Sequence, residues 1–254
     1  MDSPAHTLTF VTSFMNIYGR VHNNKPSEMR YQHFQQVAAS GIPIVLFIDS
    51  AGKEQLQLPA MSNVHIFDME FEELELVQET RRLGDLQLPA QRCMKKDTLE
   101  FMMLMHAKIE CMVKAMEKNP FHTDHFAWMD FSLSYIFKQP EVSIARLKTM
   151  SKRPLKKSLF VIPGCWSKGY LLDQMWNCIL WRFCGGFFVA DRESLLYFYE
   201  LYLETYPSLL QDSKRMTWET NVWCYLEEKK GWSPSWFAAD HNDSMICIPE
   251  EYFI

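Results

Sequence analysis

Short runs of apolar and β-branched residues recur along the chain, separated by longer stretches with helical spacing. The runs predict strands at Leu8–Phe14 (LTFVTSF), Ile44–Asp49 (IVLFID), Asn63–Phe67 (NVHIF), Phe126–Asp130 (FAWMD), Ser158–Ile162 (SLFVI), Phe187–Ala190 (FFVA) and Ser235–Asp240 (SWFAAD). IVLFID is apolar at every position up to its terminal acid, as expected of a parallel strand covered on both faces. Helices are predicted where caps and periodicity agree. One runs from Ser27 to Ser40, opened by Ser27 and stopped by Gly41. A second spans Asp97–Asn119, capped by Asp97 or Thr98 and ended by Asn119–Pro120. A third covers Asp191–Tyr206, opened by Asp191, and a fourth Thr217–Lys229, with Gly231 just past its end. The first third of the chain thus reads β–α–β–β.

Within Asp97–Asn119, Met102, Met105, Ile109, Met112 and Met116 form one apolar stripe. Phe101, Leu104, Lys108, Cys111 and Ala115 form the adjoining one. Lys108 therefore lies on a largely apolar face, either reaching past the edge of the core or aimed at an anion.

Strands alternating with helices imply an α/β fold with a mainly parallel central sheet flanked by helices. No Gly/Ser/Pro-rich linker and no internal repeat divides the 254 residues, so residues 1–254 read as a single domain. In such sheets ligands bind outside the carboxyl ends of the strands. The strand-end acids Asp49, Asp130 and Asp240 then border the ligand crevice.

Composition narrows the class. Apolar residues make up 48% of the chain and charged residues 22%, with a net charge of −5, so no dominant nucleic-acid footprint is present. The one basic run, Lys148–Lys157, reads as a solvated loop between elements. The seven cysteines are odd in number and lack any CxxC pairing, which fits reduced thiols in a reducing, cytoplasmic compartment and argues against a cysteine zinc site. No apolar stretch approaches the roughly 18 residues that span a bilayer, so any membrane role is peripheral. The N-terminus lacks the features of a signal peptide. The apolar C-terminal stretch Ile246–Ile254 is expected to dock on the core or on a partner.

Several residues can carry chemistry. Asp130 ends a buried strand, where a cation, a sugar hydroxyl or the helix that follows can receive it. His241 stands in Asp240-His241-Asn242-Asp243, a polar cluster whose imidazole and carboxylates suit a divalent ion such as Mn²⁺, or else form a turn. Asp130 and His241 can share one ion only if the fold brings them together. Gly185 and Gly186 permit close approach of backbone to a ligand, or a tight turn. Glu219 is a candidate general base, or an acid favoured by its helix dipole. Asp191 reads as a cap. His122, Asp124 and His125 have a spacing that metal sites use but also suit a polar loop. GxGxxG, GxxxxGK[ST] and GxSxG are all absent.

The segments TLTFVTSF, GIPIVLFID, NPFHTDHFAWMDFSLSYIF, WRFCGGFFVADRES and WFAADHNDS together resemble the HtrL/YibB-type family, from about Thr7 to Ser244, and that family is in turn similar to GT-A glycosyltransferases. The resemblance implies a GT-A-like fold and transfer of a sugar from a nucleotide-diphospho-sugar to an acceptor hydroxyl, Mn²⁺- or Mg²⁺-assisted, in glycan or cell-envelope polysaccharide synthesis. WMDFS stands where a DxD motif is expected, but Ser132 replaces the second acid. The resemblance then places the metal on Asp130 and His241, and the nucleotide base near Thr12, Ser13 and Asp49. Lys108 or Arg20 offsets the diphosphate charge, Gly185 and Gly186 contact donor sugar and acceptor, and Glu219 acts on the acceptor hydroxyl. Two alternatives stay open: a non-catalytic nucleotide- or glycan-binding protein on a degenerate transferase fold, and a metal-dependent hydrolase of nucleotide-sugars or phosphoesters.

Overall fold

The computed structural model describes residues 6–17 and 26–254. Arg20 and most of the loop predicted between the first strand and first helix lie outside the described residues. Seven strands form one sheet: β1 (Leu8–Phe14), β2 (Ile44–Ile48), β3 (Val64–Asp68), β4 (His125–Met129), β5 (Phe160–Gly164), β6 (Phe187–Asp191) and β7 (Ser235–Ala238). Their order across the sheet is β3-β2-β1-β4-β6-β5-β7. All pairings are parallel except those of β6, which runs antiparallel to β4 and β5. The fold is α/β with a mainly parallel sheet between helices.

Alternation along the strands feeds two cores. Val11, Val45, Phe47, Trp128, Ile162 and Phe188 pack on one side, under α3 (Glu75–Arg82), α4 (Leu99–His106), α5 (Lys108–Lys118), α7 (Arg192–Ser213) and α8 (Glu219–Lys229). Phe10, Leu46, Ile48, Ala127, Met129, Phe187 and Val189 pack on the other, under α1 (Ser27–Ala38), α2 (Ser50–Leu56) and α6 (Pro140–Met150). Both faces of the central strands are covered, which is why β2 reads as apolar at every position.

The sheet order places a switch point between β1 and β4. From β1 the chain proceeds outward through β2 and β3, then returns to β4 on the other side of β1. The chain leaves β1 toward the β2 edge of the sheet and leaves β4 toward the β5 edge, so the carboxyl ends of these two strands border a crevice.

The helices depart from expectation in several places, and α3 and α6 form where the sequence pattern predicts none. Ser27 does not cap α1: Pro26 occupies the N-cap position and no side chain closes it. The β–α–β–β reading omitted α2, which Asp49 caps through its own carboxylate. The helix predicted over Asp97–Asn119 breaks at Ala107 into α4, capped by Thr98, and α5. The break has a packing cause: α5 lies on β1, β4 and α7, whereas α4 packs on α3 and α8. The two halves bury different faces, so one continuous stripe cannot serve both. Finally, α7 passes through Pro207 instead of stopping before it. The carbonyl left without its N–H partner is that of Leu203, while the Ser208 hydroxyl donates to the Glu204 and Thr205 carbonyls of the same turn, 3.3 and 3.0 Å away.

The C-terminal stretch docks on the core: Ile246, Ile248 and Phe253 are buried. Arg153, from the basic run, clamps Glu250 with two hydrogen bonds of 2.9 and 2.7 Å and stacks on Phe253. Part of that run thus holds the tail, and Lys148 belongs to α6. No helix of the described residues is long and apolar enough to cross a membrane.

Candidate active site

Asp130 follows the last residue of β4 at the switch point. Its Oδ1 accepts from the Trp128 indole at 2.8 Å and faces the Lys108 ammonium at 3.2 Å. It does not cap the 3₁₀ turn at Leu133–Ile136, where no side-chain cap bond forms. Burial raises the Asp130 pKa, but Lys108, the Trp128 donor and the charge of His241 outweigh it and hold the carboxyl below its ordinary value. Asp130 is therefore ionised, and its side chain remains 43% exposed toward a cavity.

That cavity, about 320 Å³, is lined by residues from the ends of β1 and β4 (Ser13, Met15, Trp128, Asp130), from α4 and the segment before it (Lys95, Lys96, Phe101, Leu104, Met105), and by Arg30, Gly186 and His241. The volume suits a small-molecule ligand. Asp130 is the one carboxylate among the described lining residues, against three cations, Arg30, Lys95 and Lys96. Lys96 is itself paired with Asp97 Oδ1 at 3.3 Å, and the wall still bears an excess of cations that suits an anion beside a single acid.

Gly186 reaches this edge because β6 runs antiparallel to β4. Its start meets the carboxyl end of β4, and the Gly186 carbonyl accepts from Asp130 N at 3.0 Å. A methyl group at Gly186 would sit 2.8 Å from Met245 Cε and 3.4 Å from Asp130 Oδ2. The glycine keeps the backbone beside the carboxylate oxygen that is not engaged by Trp128 or Lys108. His241 comes from the loop after β7. β7 is not adjacent to β4, yet the loop folds back, with Met245 packed on Gly186, so His241 and Asp130 line the same cavity.

Other expected site residues take different places. Lys108 is buried, 2% exposed, and does not reach the cavity. Its ammonium lies 2.8 Å from Glu219 Oε1 and 2.9 Å from the Gly185 carbonyl as well as beside Asp130. Burial lowers its pKa, but the two carboxylates outweigh that and raise it, so its charge is committed within the protein and cannot also serve a diphosphate directly. Glu219 is buried behind Gly185, where a methyl group would come within 2.5 Å of its Oε1. It does not line the cavity, which removes it as a base for a hydroxyl bound there. Asp49 spends both oxygens on backbone: Oδ1 accepts from Gly52 N at 2.7 Å and Oδ2 from Asn16 N at 2.8 Å. It pins the exit of β1 and stays outside the cavity lining. Ser13 lines the cavity, whereas Thr12 points to the opposite face, fully buried, with no hydrogen-bond partner for its hydroxyl among the described residues.

Asp191 caps α7, accepting from Ser194 N at 2.8 Å. His125 is fixed by a 2.9 Å contact from Nε2 to the Lys156 carbonyl, which makes the HTDH segment a structured lead into β4. Arg30, Lys95 and Lys96 are the residues missed in the sequence. They sit in segments without motif character, and only the fold carries them to the switch point.

Among the described residues, no group of three or more His, Cys, Asp or Glu side chains is placed to hold a metal ion. Asp130 Oδ2 and the His241 imidazole offer two donors. That set fits a divalent ion whose other positions are filled by water and ligand phosphates, and it does not fit an all-protein cage.

No family model and no curated protein matches the chain. Loosely similar solved structures include mouse xyloside xylosyltransferase 1 in its apo form, with a TM-score of 0.45 and 11% identity, covering 92% of this chain and 85% of that one. The 4-diphosphocytidyl-2C-methyl-D-erythritol synthase of Anaerococcus prevotii gives a TM-score of 0.47 at 8% identity, covering 97% and 93%. Rv0371c of Mycobacterium tuberculosis, in complex with manganese, gives 0.43 at 11%, covering 93% and 89%.

Proposed function

We propose that the chain is a glycosyltransferase of GT-A-like type, related to the HtrL/YibB-type proteins, that moves a sugar from a nucleotide-diphospho-sugar to an acceptor hydroxyl in glycan or cell-envelope polysaccharide synthesis. The observation that carries this reading is the cavity at the β1/β4 switch point, in which one ionised carboxylate, Asp130, faces a wall bearing Arg30, Lys95 and Lys96. Such a wall suits a polyanion that shares a cation with a single acid.

In this reading Ser13, at the end of β1, borders the nucleotide. Arg30, Lys95 and Lys96, with Arg20 from the segment outside the described residues, offset the diphosphate charge. Gly186 lets the donor sugar approach the backbone beside Asp130. Mn²⁺ or Mg²⁺ would be held by Asp130 Oδ2 and His241, and would supply charge stabilisation to the departing diphosphate. Lys108 keeps Asp130 ionised and fixes its Oδ1, leaving Oδ2 toward the cavity, while Glu219 balances Lys108. Sugar transfer breaks the bond from anomeric carbon to diphosphate oxygen and forms one to the acceptor oxygen, whose proton must leave. With Glu219 buried, the oxygen of the departing diphosphate or a water takes that proton.

The test is substitution. Asp130→Asn and His241→Ala are expected to abolish donor turnover, and Asp130→Asn to weaken divalent-ion binding, in folded protein. Unchanged turnover in both would overturn the site. A second reading, a nucleotide- or glycan-binding protein without catalysis, is favoured by Ser132 in place of the second acid and by the two-donor metal set. Donor binding that needs no metal and leads to no turnover would select it.

A further inference from the structure

We propose that the rim of the cavity beside His241 is a carbohydrate acceptor subsite, in which the indoles of Trp181 and Trp166 take the face of a pyranose ring. Its role as an acceptor subsite rests on the transferase reading, but the surface can be tested separately from it.

The chain has eight tryptophans, and the structure accounts for six. Trp128, Trp218, Trp223 and Trp232 are buried. Trp236 is covered by the Arg182 guanidinium at 4.4 Å and donates its Nε1–H to the Arg182 carbonyl at 3.0 Å. Trp176 packs beneath Arg215. Trp223, Trp232 and Trp236, the tryptophans closest to the C-terminus, are thus committed to the core or to a guanidinium.

Trp166 and Trp181 remain. Trp166 is 41% exposed, a large apolar surface to leave in water, and Trp181 is half-buried. Their backbones are tied together: the Trp181 carbonyl accepts from both Trp166 N and Cys165 N at 2.9 Å. Trp181 in turn meets His241 edge to face, with ring centroids 5.5 Å apart and planes at 77°. Because His241 lines the same cavity as Asp130, Trp181 adjoins the cavity wall through the His241 imidazole.

Asp240 adds the polar half of the surface. It is exposed, its Oδ1 accepts from His241 N at 2.7 Å and lies 4.0 Å from the Sγ of Cys165, the residue before Trp166, so its carboxylate is an acceptor for hydroxyl groups there. A pyranose ring has an apolar C–H face and a hydroxyl edge. An indole face flanked by a fixed carboxylate matches both, whereas a purely apolar occupant would leave Asp240 facing carbon. A sugar lying on Trp181 would direct a hydroxyl past His241 toward the cavity, where a donor's anomeric carbon would lie.

Saturation-transfer NMR and isothermal titration with cellotetraose, xylotetraose, maltotetraose and a β-galactotetraose test this on the full chain, on Trp166→Ala and on Trp181→Leu. Trp166 is on the surface, so its variant reads binding without threatening the fold, and thermal unfolding monitors both. At least one tetrasaccharide is expected to bind the wild type, about tenfold more weakly in each variant, within the range of an aromatic contact. If no tetrasaccharide binds, or if the variants bind as well as the wild type, the subsite is overturned. Glycan binding that survives while every nucleotide-sugar fails to bind would instead count against the transferase reading and leave the subsite standing.

Discussion

Lys108 Nζ lies 2.8 Å from Glu219 Oε1, both side chains almost wholly buried, although 111 residues separate them in the chain. The pair stands directly behind Asp130 and Gly185, so α5 and α8 are tied to the site through one ammonium. Removing one member leaves the other charge uncompensated in a low dielectric. Lys108→Met is therefore expected to lower the unfolding free energy by about 3–5 kcal/mol, read by urea denaturation. Adding Glu219→Gln should recover part of that loss. Losses that simply add to within about 0.5 kcal/mol would contradict the coupling.

His106 predicts a pH dependence of stability. It is buried between Tyr202 and Thr217, with Nε2 donating to the Thr217 carbonyl at 2.9 Å and the Tyr202 hydroxyl at Nδ1. Burial pushes its pKa down to about 4, so the folded protein holds it neutral. The unfolded chain takes up a proton first, near pH 6.5, so this contribution is complete above that pH and disappears as pH falls toward 4. The size is about 3 kcal/mol. Denaturation midpoints measured between pH 7 and 4.5 should fall for the wild type, and the His106→Gln variant should lose most of that slope.

The two glycines should separate stability from ligand binding. A methyl group at Gly185 meets the Glu219 carboxylate that Lys108 holds in place, so Gly185→Ala is expected to destabilise by about 1–3 kcal/mol. At Gly186 the nearest atom is the flexible end of Met245, which can yield, and the next is Asp130 Oδ2. Gly186→Ala should therefore fold with nearly wild-type stability, yet weaken ligand and metal binding at Asp130. Thermal unfolding with and without ligand distinguishes the two.

The cationic wall gives a salt-dependent prediction. Lys95→Ala, Lys96→Ala and Arg30→Ala should each weaken binding of a nucleoside diphosphate by about tenfold or less, with the differences shrinking as ionic strength rises. Titration calorimetry at two salt concentrations reads this directly.

Much of the scaffold was legible because each buried strand is a short apolar run bounded by polar residues. Leu8–Phe14 matches β1 residue for residue, and the other strands lie within two residues of expectation. Asp191 announced itself as a cap because it directly precedes an amphipathic helix. The break at Ala107 was hidden, since α4 and α5 are both apolar and only their packing partners differ. The helix continuing through Pro207 was hidden because a proline ordinarily ends a helix, and the burial of Tyr206 and Leu210 on either side of it is a tertiary effect. For the site, apolar strands ending in acids pointed to Asp130 and the His241 loop. The direction of β6, which brings Gly186 to Asp130, is carried by no local pattern. The Lys108–Glu219 pairing and the convergence of Arg30, Lys95 and Lys96 depend on contacts distant in sequence, which no spacing rule reads.

The most direct measurement of the central claim is a thermal-shift titration of the purified chain with UDP-, GDP-, CMP- and dTDP-sugars, with and without Mn²⁺, alongside Asp130→Asn. A ligand that binds only the folded state raises its apparent stability by RT ln(1 + [L]/Kd). One nucleotide-sugar should raise the wild-type midpoint in the presence of Mn²⁺, and the shift should vanish without the metal or in Asp130→Asn. No shift with any donor in folded protein, or an equal shift in Asp130→Asn, would contradict the assignment of this cavity to a nucleotide-sugar.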